Sequence, residues 1–327
     1  MSLRLGVLIS VFSLHCVLAQ GNPAVGGPVL GYVFDHGSGD FQPVLGIPGA
    51  SQMGQPFSPG AAVSSAAVAR GYALVITGQD HAAALVRFGN GAPVVSPISG
   101  VAGAFDQVYL SPSGSAAILY RAAGGFAQVV TGLPDSPLAR NGITVANLGG
   151  NVSILAVSDD GGAVLAAVHN DQADYLFSIA ADGTPTQLPF AGPVSAMVFQ
   201  ANSHDIALAD TRDNSISVIR HVDGSADYQV AAGPNDGVAG PVAVEFSDDG
   251  SKLFTANSGS GNILVIDLGG GPAAAIPCQC SVSGLHRLSG SIFRLNDLSN
   301  GPLMLFDGAS TTPQVVFVPS DSQRSGQ

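Results

Sequence analysis

The sequence predicts an all-β fold, a β-propeller, and two observations lead to that prediction. Residues 242–277 contain four short apolar stretches separated by three turns rich in Asp, Asn, Ser and Gly, which is the content of one four-stranded antiparallel blade. The turn after the first stretch has counterparts along the chain, about 40–47 residues apart, and that period is typical of propeller blades. These turns begin at Ser111, Ser158, Gln200 and Ser247.

The composition is a third observation in favour of strands. Lys252 is the only lysine and Glu245 the only glutamate, so two of the best helix formers are almost missing. The 43 glycines and 21 prolines contribute turn residues every 8–12 positions, which is the all-β pattern. With 46% hydrophobic and 10% charged residues, the chain can bury a large core.

Six four-stranded units follow one another along the chain. The turn in the unit at 242–277 is a tight one, because Asp side chains cap turns locally and Gly accepts a positive φ. The corresponding turn at 201–205 is degenerate, and the fourth strand of the second unit is not defined within residues 136–146. The six units span residues 61–98, 106–146, 151–190, 194–232, 242–277 and 282–319.

A hairpin precedes these units, with strands at 29–34 and 42–47 around a turn at 36–40. It resembles the third and fourth strands of a blade, and residues 48–59 are predicted to be a loop. We therefore predict seven blades, the first of them incomplete, in a single domain at residues 20–319. The alternative is six blades with the hairpin packed outside the ring.

The N-terminus has the features of a secretory signal peptide at residues 1–19. Arg4 precedes an apolar run that is too short to span a membrane, and small residues predict cleavage after Ala19. We expect a secreted or periplasmic protein with no membrane insertion, and a flexible tail at 320–327. The net charge of −12 argues against nucleic-acid partners, because these require a cationic patch.

Cys278 and Cys280 are the two cysteines that remain after this cleavage. Two partly buried thiols are favoured, because a disulfide that closes one intervening residue is strained. A disulfide is the first alternative, helped by export to an oxidising compartment. A metal site that also uses His286 is the second.

Two segments carry a resemblance to a known family. Residues 248–257, DDGSKLFTAN, followed by residues 262–267, NILVID, resemble the YVTN-type β-propeller repeat, and residues 206–219 are a weaker copy. The resemblance implies a seven-bladed propeller, often secreted by bacteria and archaea and commonly of unknown activity. Related propellers include lactonases and cofactor-bearing dehydrogenases.

Polar residues gather in the turns between the second and third strands, which a propeller places on one face. We predict that some of these residues bind a ligand at the mouth of the central channel, and that an overlapping set holds a divalent cation, the one cofactor considered. The alternative is that Asn and Asp serve turn geometry. The predicted ligand-binding residues are His169, Asp171, Asp210, Arg212 and Asn257. The predicted metal ligands are Asp80, His81, Asp171, Asp210 and Asp213.

No local motif of a serine hydrolase, zincin, NTPase or c-type haem protein occurs in the chain. We therefore favour a monomeric, non-catalytic binding module whose partner is a protein, a polysaccharide or a small ligand. The alternative is a hydrolase of the propeller lactonase kind with its site at the channel mouth.

Overall fold

A computed structural model describes residues 27–89, 92–190 and 192–319. Their strands form seven antiparallel sheets, and within each sheet consecutive strands are neighbours. The predicted signal peptide and the predicted C-terminal tail lie outside the described residues. Among the described residues, no helix has the length and apolar character needed to cross a bilayer.

Six of the sheets in the described chain have four strands each, as the sequence predicts. The strands of blade 2 are β4 (Val63–Val68), β5 (Tyr72–Thr77), β6 (Ala83–Arg87) and β7 (Val94–Pro97). Those of blade 3 are β8 (Gln107–Leu110), β9 (Ala116–Arg121), β10 (Phe126–Thr131) and β11 (Leu138–Thr144). Those of blade 4 are β12 (Asn151–Val157), β13 (Ala163–His169), β14 (Asp174–Ala180) and β15 (Pro185–Gln187).

The remaining full blades follow the same plan. The strands of blade 5 are β16 (Val194–Phe199), β17 (Ile206–Asp210), β18 (Ser215–Arg220) and β19 (Asp227–Ala232). Those of blade 6 are β20 (Pro241–Phe246), β21 (Lys252–Asn257), β22 (Asn262–Asp267) and β23 (Ala274–Pro277). Those of blade 7 are β24 (His286–Ser289), β25 (Ile292–Arg294), β26 (Leu303–Asp307) and β27 (Gln314–Val318). Short 3-10 helices span Ala146–Leu148, Pro234–Asp236 and Leu298–Asn300.

Blade 1 has three strands, β1 (Val29–Asp35), β2 (Asp40–Leu45) and β3 (Gln52–Met53). The incomplete first blade is confirmed, but the place of the hairpin within it was predicted wrongly, because the hairpin forms the first and second strands and not the third and fourth. Strand β1 lies against β4 and β24, the first strands of the two neighbouring blades, so it is itself a first strand. The third strand comes from the predicted loop, because residues 46–57 turn back and pair Met53 with Val44 and Phe57 with Phe41.

The second and third strands of blades 2, 3, 5 and 6 are buried along most of their length, because a neighbouring blade covers each face of the sheet. Their sequences are therefore apolar runs rather than alternating patterns. The ring closes between blades 1 and 7, where apolar side chains of both blades form one cluster. The hairpin thus belongs to the ring, and the seven-bladed prediction is confirmed. That cluster comprises Leu30, Val33, Val44, Met53, Leu288, Leu303, Leu305 and Val318.

The strand order assigns every turn to one of two faces of the ring. The turns between second and third strands share one face with the connections between blades, and we call this the upper face. The turns between first and second strands share the other face with those between third and fourth strands, and we call this the lower face. This follows from antiparallel pairing of consecutive strands in each blade.

Cys278 and Cys280 form a disulfide in the connection between blades 6 and 7. The favoured prediction of two thiols was therefore wrong, and the first alternative applies. Cys278 is buried among apolar side chains of the two blades, and its N–H donates to the carbonyl of Gly261 at 3.0 Å. The covalent ring thus fixes the chain at the point where it passes from one blade to the next.

Candidate functional site

On the upper face, blades 4 and 5 bring a histidine and an arginine to one carboxylate. His169 is the last residue of β13 and lies opposite Asp174, the first residue of β14, in the hairpin register. Nδ1 of His169 donates to Oδ1 of Asp174 at 2.7 Å, and Nη2 of Arg212, from the turn of blade 5, donates to Oδ2 at 2.9 Å. We call these three residues the upper-face site.

The exposure of the three side chains differs in a way that matters for binding. The Asp174 side chain is 13% exposed, whereas those of His169 and Arg212 are 65% and 58% exposed. The carboxylate thus holds the two donors in place from below. Nε2 of His169 has no partner among the described residues, so it can contact a molecule from solvent.

Asp210 supports this site from within blade 5. It is 3% exposed, and its Oδ1 accepts the backbone N–H of Arg212 at 2.7 Å and that of Asp213 at 3.3 Å. A Cβ at Gly192 would collide with the other carboxylate oxygen, so this position requires glycine. Asp210 therefore shapes the turn that carries Arg212 and does not itself face a ligand.

Of the two other predicted binding residues, Asn257 has a structural role in its own turn, and Asp171 is exposed to solvent. Asn257 is fully buried, and its side chain accepts the N–H of Ala239 and donates to the side chain of Asn262. It holds the turn of blade 6 together. Asp171 is exposed, next to the turn that Asn170 caps by accepting the N–H groups of Gln172 and Ala173.

The predicted metal ligands are not brought together. Asp80 accepts the hydroxyl of Thr77, and this hydrogen bond is the largest cause that lowers the pKa of Asp80. Nδ1 of His81 lies 3.2 Å from the carbonyl of Phe105 and 3.8 Å from Asp106. Within the described residues, no three His, Cys, Asp or Glu side chains are placed to hold a metal ion. The remaining predicted ligands, in blades 4 and 5, are Asp171, Asp210 and Asp213.

The lower face carries a second histidine site, which sequence reasoning missed. His204 lies in the turn between β16 and β17, where its Nδ1 is 2.6 Å from Oδ2 of Asp223 and its Nε2 is 3.2 Å from Oδ1 of Asp160. Asp223 belongs to blade 5, but Asp160 belongs to the turn between β12 and β13 of blade 4. The side chain of His204 is 25% exposed.

The pKa values of this second site are shifted in opposite directions. Partial burial acts to lower the pKa of His204, but hydrogen bonds to Asp223 and Asp160 outweigh it, and the pKa is raised above 6.5. Partial burial acts to raise the pKa of Asp160, but hydrogen bonds from Ser158, Gly162 and His204 lower it to about 2. The hydrogen bond with His204 also lowers the pKa of Asp223.

A depression of about 380 Å³ opens beside His204 on the lower face. Asp159 lines this depression and joins three blades, because its carboxylate accepts the N–H of Ser113 in blade 3 at 2.9 Å and that of Asn202 in blade 5 at 2.8 Å. The lining residues are Ser115, Asp159, Asp160, Asn202, Ser203 and His204. Their polar groups largely bond one another, which indicates a role in holding blades together.

Comparisons with known proteins show the fold. A protein of unknown function from Desulfotomaculum acetoxidans is 14% identical, with a TM-score of 0.59, covering 89% of this chain and 99% of that one. A catalytically inactive histidine-to-alanine variant of virginiamycin B lyase from Staphylococcus aureus, solved with quinupristin, is 12% identical, with a TM-score of 0.55 and coverages of 79% and 84%. Hydrazine synthase from Kuenenia stuttgartiensis is 12% identical, with a TM-score of 0.54 and coverages of 86% and 90%.

A scan of protein-family models and a search of curated proteins find no match. The resemblance to the YVTN-type repeat is therefore confirmed only as far as the seven-bladed β-propeller. At such low identities the structural neighbours show the architecture and not the activity.

Proposed function

We propose that this protein is an exported β-propeller that acts as a non-catalytic binding module, with its ligand held at the upper-face site. The observation that carries the proposal is the arrangement of His169 and Arg212 on Asp174, with both donors mostly exposed. A rigid pair of donors on a propeller face is a ready-made contact for a polar molecule, because ordering it costs little further entropy.

The ligand class that suits these groups is a polar one rich in hydroxyl groups, such as an oligosaccharide or a polysaccharide chain. Arginine, histidine and aspartate together supply donors and acceptors in fixed directions, which hydroxyl groups can match. The net charge of −12 disfavours a polyanion. The apolar run before Ala19 supports export to the periplasm or the exterior, where such polymers occur.

One specific observation favours the second candidate, a hydrolase of the propeller lactonase kind. Asp174 orients His169 through Nδ1 and leaves Nε2 free, which is the arrangement of a general base and its supporting carboxylate. Against it stands the 65% exposure of the His169 side chain, because acid–base and electrostatic catalysis gain most in sites that exclude water.

Affinity electrophoresis in gels containing dextran, xylan or laminarin tests the first proposal. We expect at least one polymer to retard the protein and Arg212→Ala to weaken that retardation about tenfold or more, because hydrogen bonds to charged groups contribute about 1.5–3 kcal/mol. Arg220→Ala is the matched control, since Arg220 lies on the lower face of the same blade with a similarly exposed side chain.

Two results would contradict the binding proposal. One is migration unaffected by any of these polymers, and the other is an equal loss of retardation in both arginine variants. Hydrolysis of a lactone such as dihydrocoumarin that disappears in His169→Ala, with Arg220→Ala unaffected, would establish the second candidate instead.

A further inference from the structure

We propose that Asp160, His204 and Asp223 form a pH-sensitive latch on the lower face, which joins blade 4 to blade 5 when the imidazole of His204 is protonated. The latch is separate from the upper-face site and does not depend on the proposed ligand. Asp160 comes from the turn between β12 and β13, whereas His204 and Asp223 come from two turns of blade 5.

The argument begins with the number of protons on the ring. A neutral imidazole carries one N–H, whereas an imidazolium carries two. Both ring nitrogens of His204 lie within hydrogen-bond distance of a carboxylate oxygen, at 2.6 Å and 3.2 Å. Only the imidazolium can donate to both carboxylates. In the neutral form, one nitrogen lone pair faces a carboxylate oxygen, and that contact becomes repulsive.

The carboxylate of Asp160 is held in place, so it cannot simply turn away. Oδ1 of Asp160 accepts the hydroxyl of Ser158 at 2.6 Å and the N–H of Gly162 at 2.8 Å. These bonds fix the carboxylate within the turn of blade 4. Loss of the proton from His204 therefore acts on the distance between the two blades rather than on one free side chain.

The charged groups around His204 favour the protonated ring. From blade 4, Asp159 and Asp160 line the same depression, and from blade 3 the guanidinium of Arg140 donates to the backbone carbonyl of Asp160 at 3.1 Å. From blade 5, Asp223 contacts the ring, and Asp205 is the residue after His204. The side chains of Arg220 and His221 lie 3.9 Å and 4.0 Å from the carboxylate of Asp205. The ring of Phe199 packs at its side, with centroids 6.4 Å apart. Carboxylates thus outnumber cations in this neighbourhood.

The two kinds of group set a window of pH in which the latch is closed. The pKa of His204 is raised above 6.5 in the folded protein, so its contribution is complete below 6.5 and is lost as the pH rises through the folded pKa. The pKa values of Asp160 and Asp223 are lowered from 3.8, so their contributions are present above 3.8 and are lost as the pH falls through the folded values. The latch is therefore closed from about pH 4 to 6.5 and opens on the alkaline side.

Titration of the histidine ring signals by NMR tests the latch directly, with His204→Asn used to assign the signal. We expect the midpoint for His204 above 6.5, and we expect Asp223→Asn to lower it by about one pH unit because an opposite charge is removed. His81→Asn, in the upper-face turn of blade 2, is the control and should leave the midpoint of His204 unchanged. Asparagine suits that position because His81 has a positive φ of 56°.

Hydrogen exchange supplies a second measurement, first on the wild-type protein and then on His204→Asn. After correction for intrinsic rates, we expect the turns at 158–162 and 221–224 to exchange severalfold faster at pH 8.5 than at pH 5.5, and His204→Asn to remove the difference. A His204 midpoint at or below 6.5, a midpoint that Asp223→Asn does not move, or equal protection of both turns at the two pH values would overturn the proposal.

Discussion

Blades 4 and 5 carry a histidine and aspartates on each face of the ring, and the two sites are built from the same residue types. On the upper face, one carboxylate serves His169 and Arg212, and one imidazole nitrogen is left for a ligand. On the lower face, two carboxylates enclose one imidazole, and both nitrogens are engaged. The side chains of His169 and His204 are 65% and 25% exposed.

The difference shows how residue composition alone misleads about function. A histidine whose nitrogens are both bonded to carboxylates has nothing left to offer a ligand, and its role is to join two blades. A histidine held at one nitrogen by a mostly buried carboxylate can recognise a molecule or accept its proton. The ratio of carboxylates to imidazole nitrogens, together with exposure, separates the two roles.

The largest expected effect comes from the buried aspartate beneath the upper-face site. Asp210→Ala should reduce the free energy of unfolding by about 1.5–3 kcal/mol, because it removes the charged acceptor of the N–H groups of Arg212 and Asp213. Urea unfolding measures the change. Asp213→Ala, at an exposed position of the same turn, should change it by less than about 0.5 kcal/mol. Equal effects of the two variants would mean that Asp210 does not shape the turn.

A matched pair of turns sharpens the comparison from the lower face. Asp160 and Asp249 occupy the same place in two Asp-Asp-Gly turns, and hydrogen bonds within the turn contribute to a pKa of about 2 for each. Only Asp160 also contacts a histidine. Asp160→Asn should therefore cost about 0.5–1 kcal/mol more at pH 5.5 than at pH 8.5, a value limited by solvent screening. Thermal unfolding at the two pH values checks this.

Asp249→Asn supplies the control, because Asp249 bonds Ser247 and Ser251 of its own turn. Its effect should be the same at pH 5.5 and pH 8.5. Below pH 3.8, both carboxylates of the wild-type chain begin to be protonated in the unfolded state, and the stabilisation that their lowered pKa values represent is lost as the pH falls towards 2. A pH-dependent effect for both variants, or for neither, would argue against a role of His204.

The blades could be predicted from the sequence because their signals are local. In blade 6, the apolar stretches and turns of residues 242–277 coincide with β20 to β23 within a few residues. Blade 1 shows the limit. Strand β3 is only Gln52–Met53, without an apolar run, and its pairing depends on where the chain turns back. The place of a hairpin within a blade depends on its neighbours in the ring, which no local pattern encodes.

The sites could be predicted less completely, because they form between blades. His169 and Arg212 were identified from their turns, but Asp174, which joins them, is not among the predicted site residues. The hairpin register would have placed it opposite His169. Asp160 and His204 lie 44 residues apart, about one repeat, in the corresponding turns that begin at Ser158 and Gln200. The predicted site residues were instead taken from the turns between second and third strands, on the opposite face.

The smallest expected effect concerns the divalent cation that the sequence predicted for the upper face. Each of two predicted ligands already has a partner that a cation would have to displace, Asp80 with Thr77 and Asp210 with Arg212. We therefore expect the melting temperature to change by less than about 1 °C between millimolar calcium and EDTA. A site with a dissociation constant tenfold below the free calcium concentration would instead stabilise the protein by about 1.4 kcal/mol, which is a rise of about 2 °C. Asp80→Ala and Asp213→Ala would show where any such rise originates. If upper-face turns of separate blades converged on one ion, each substitution would abolish the rise in melting temperature. If the ion were bound on the lower face, the rise would persist in both variants.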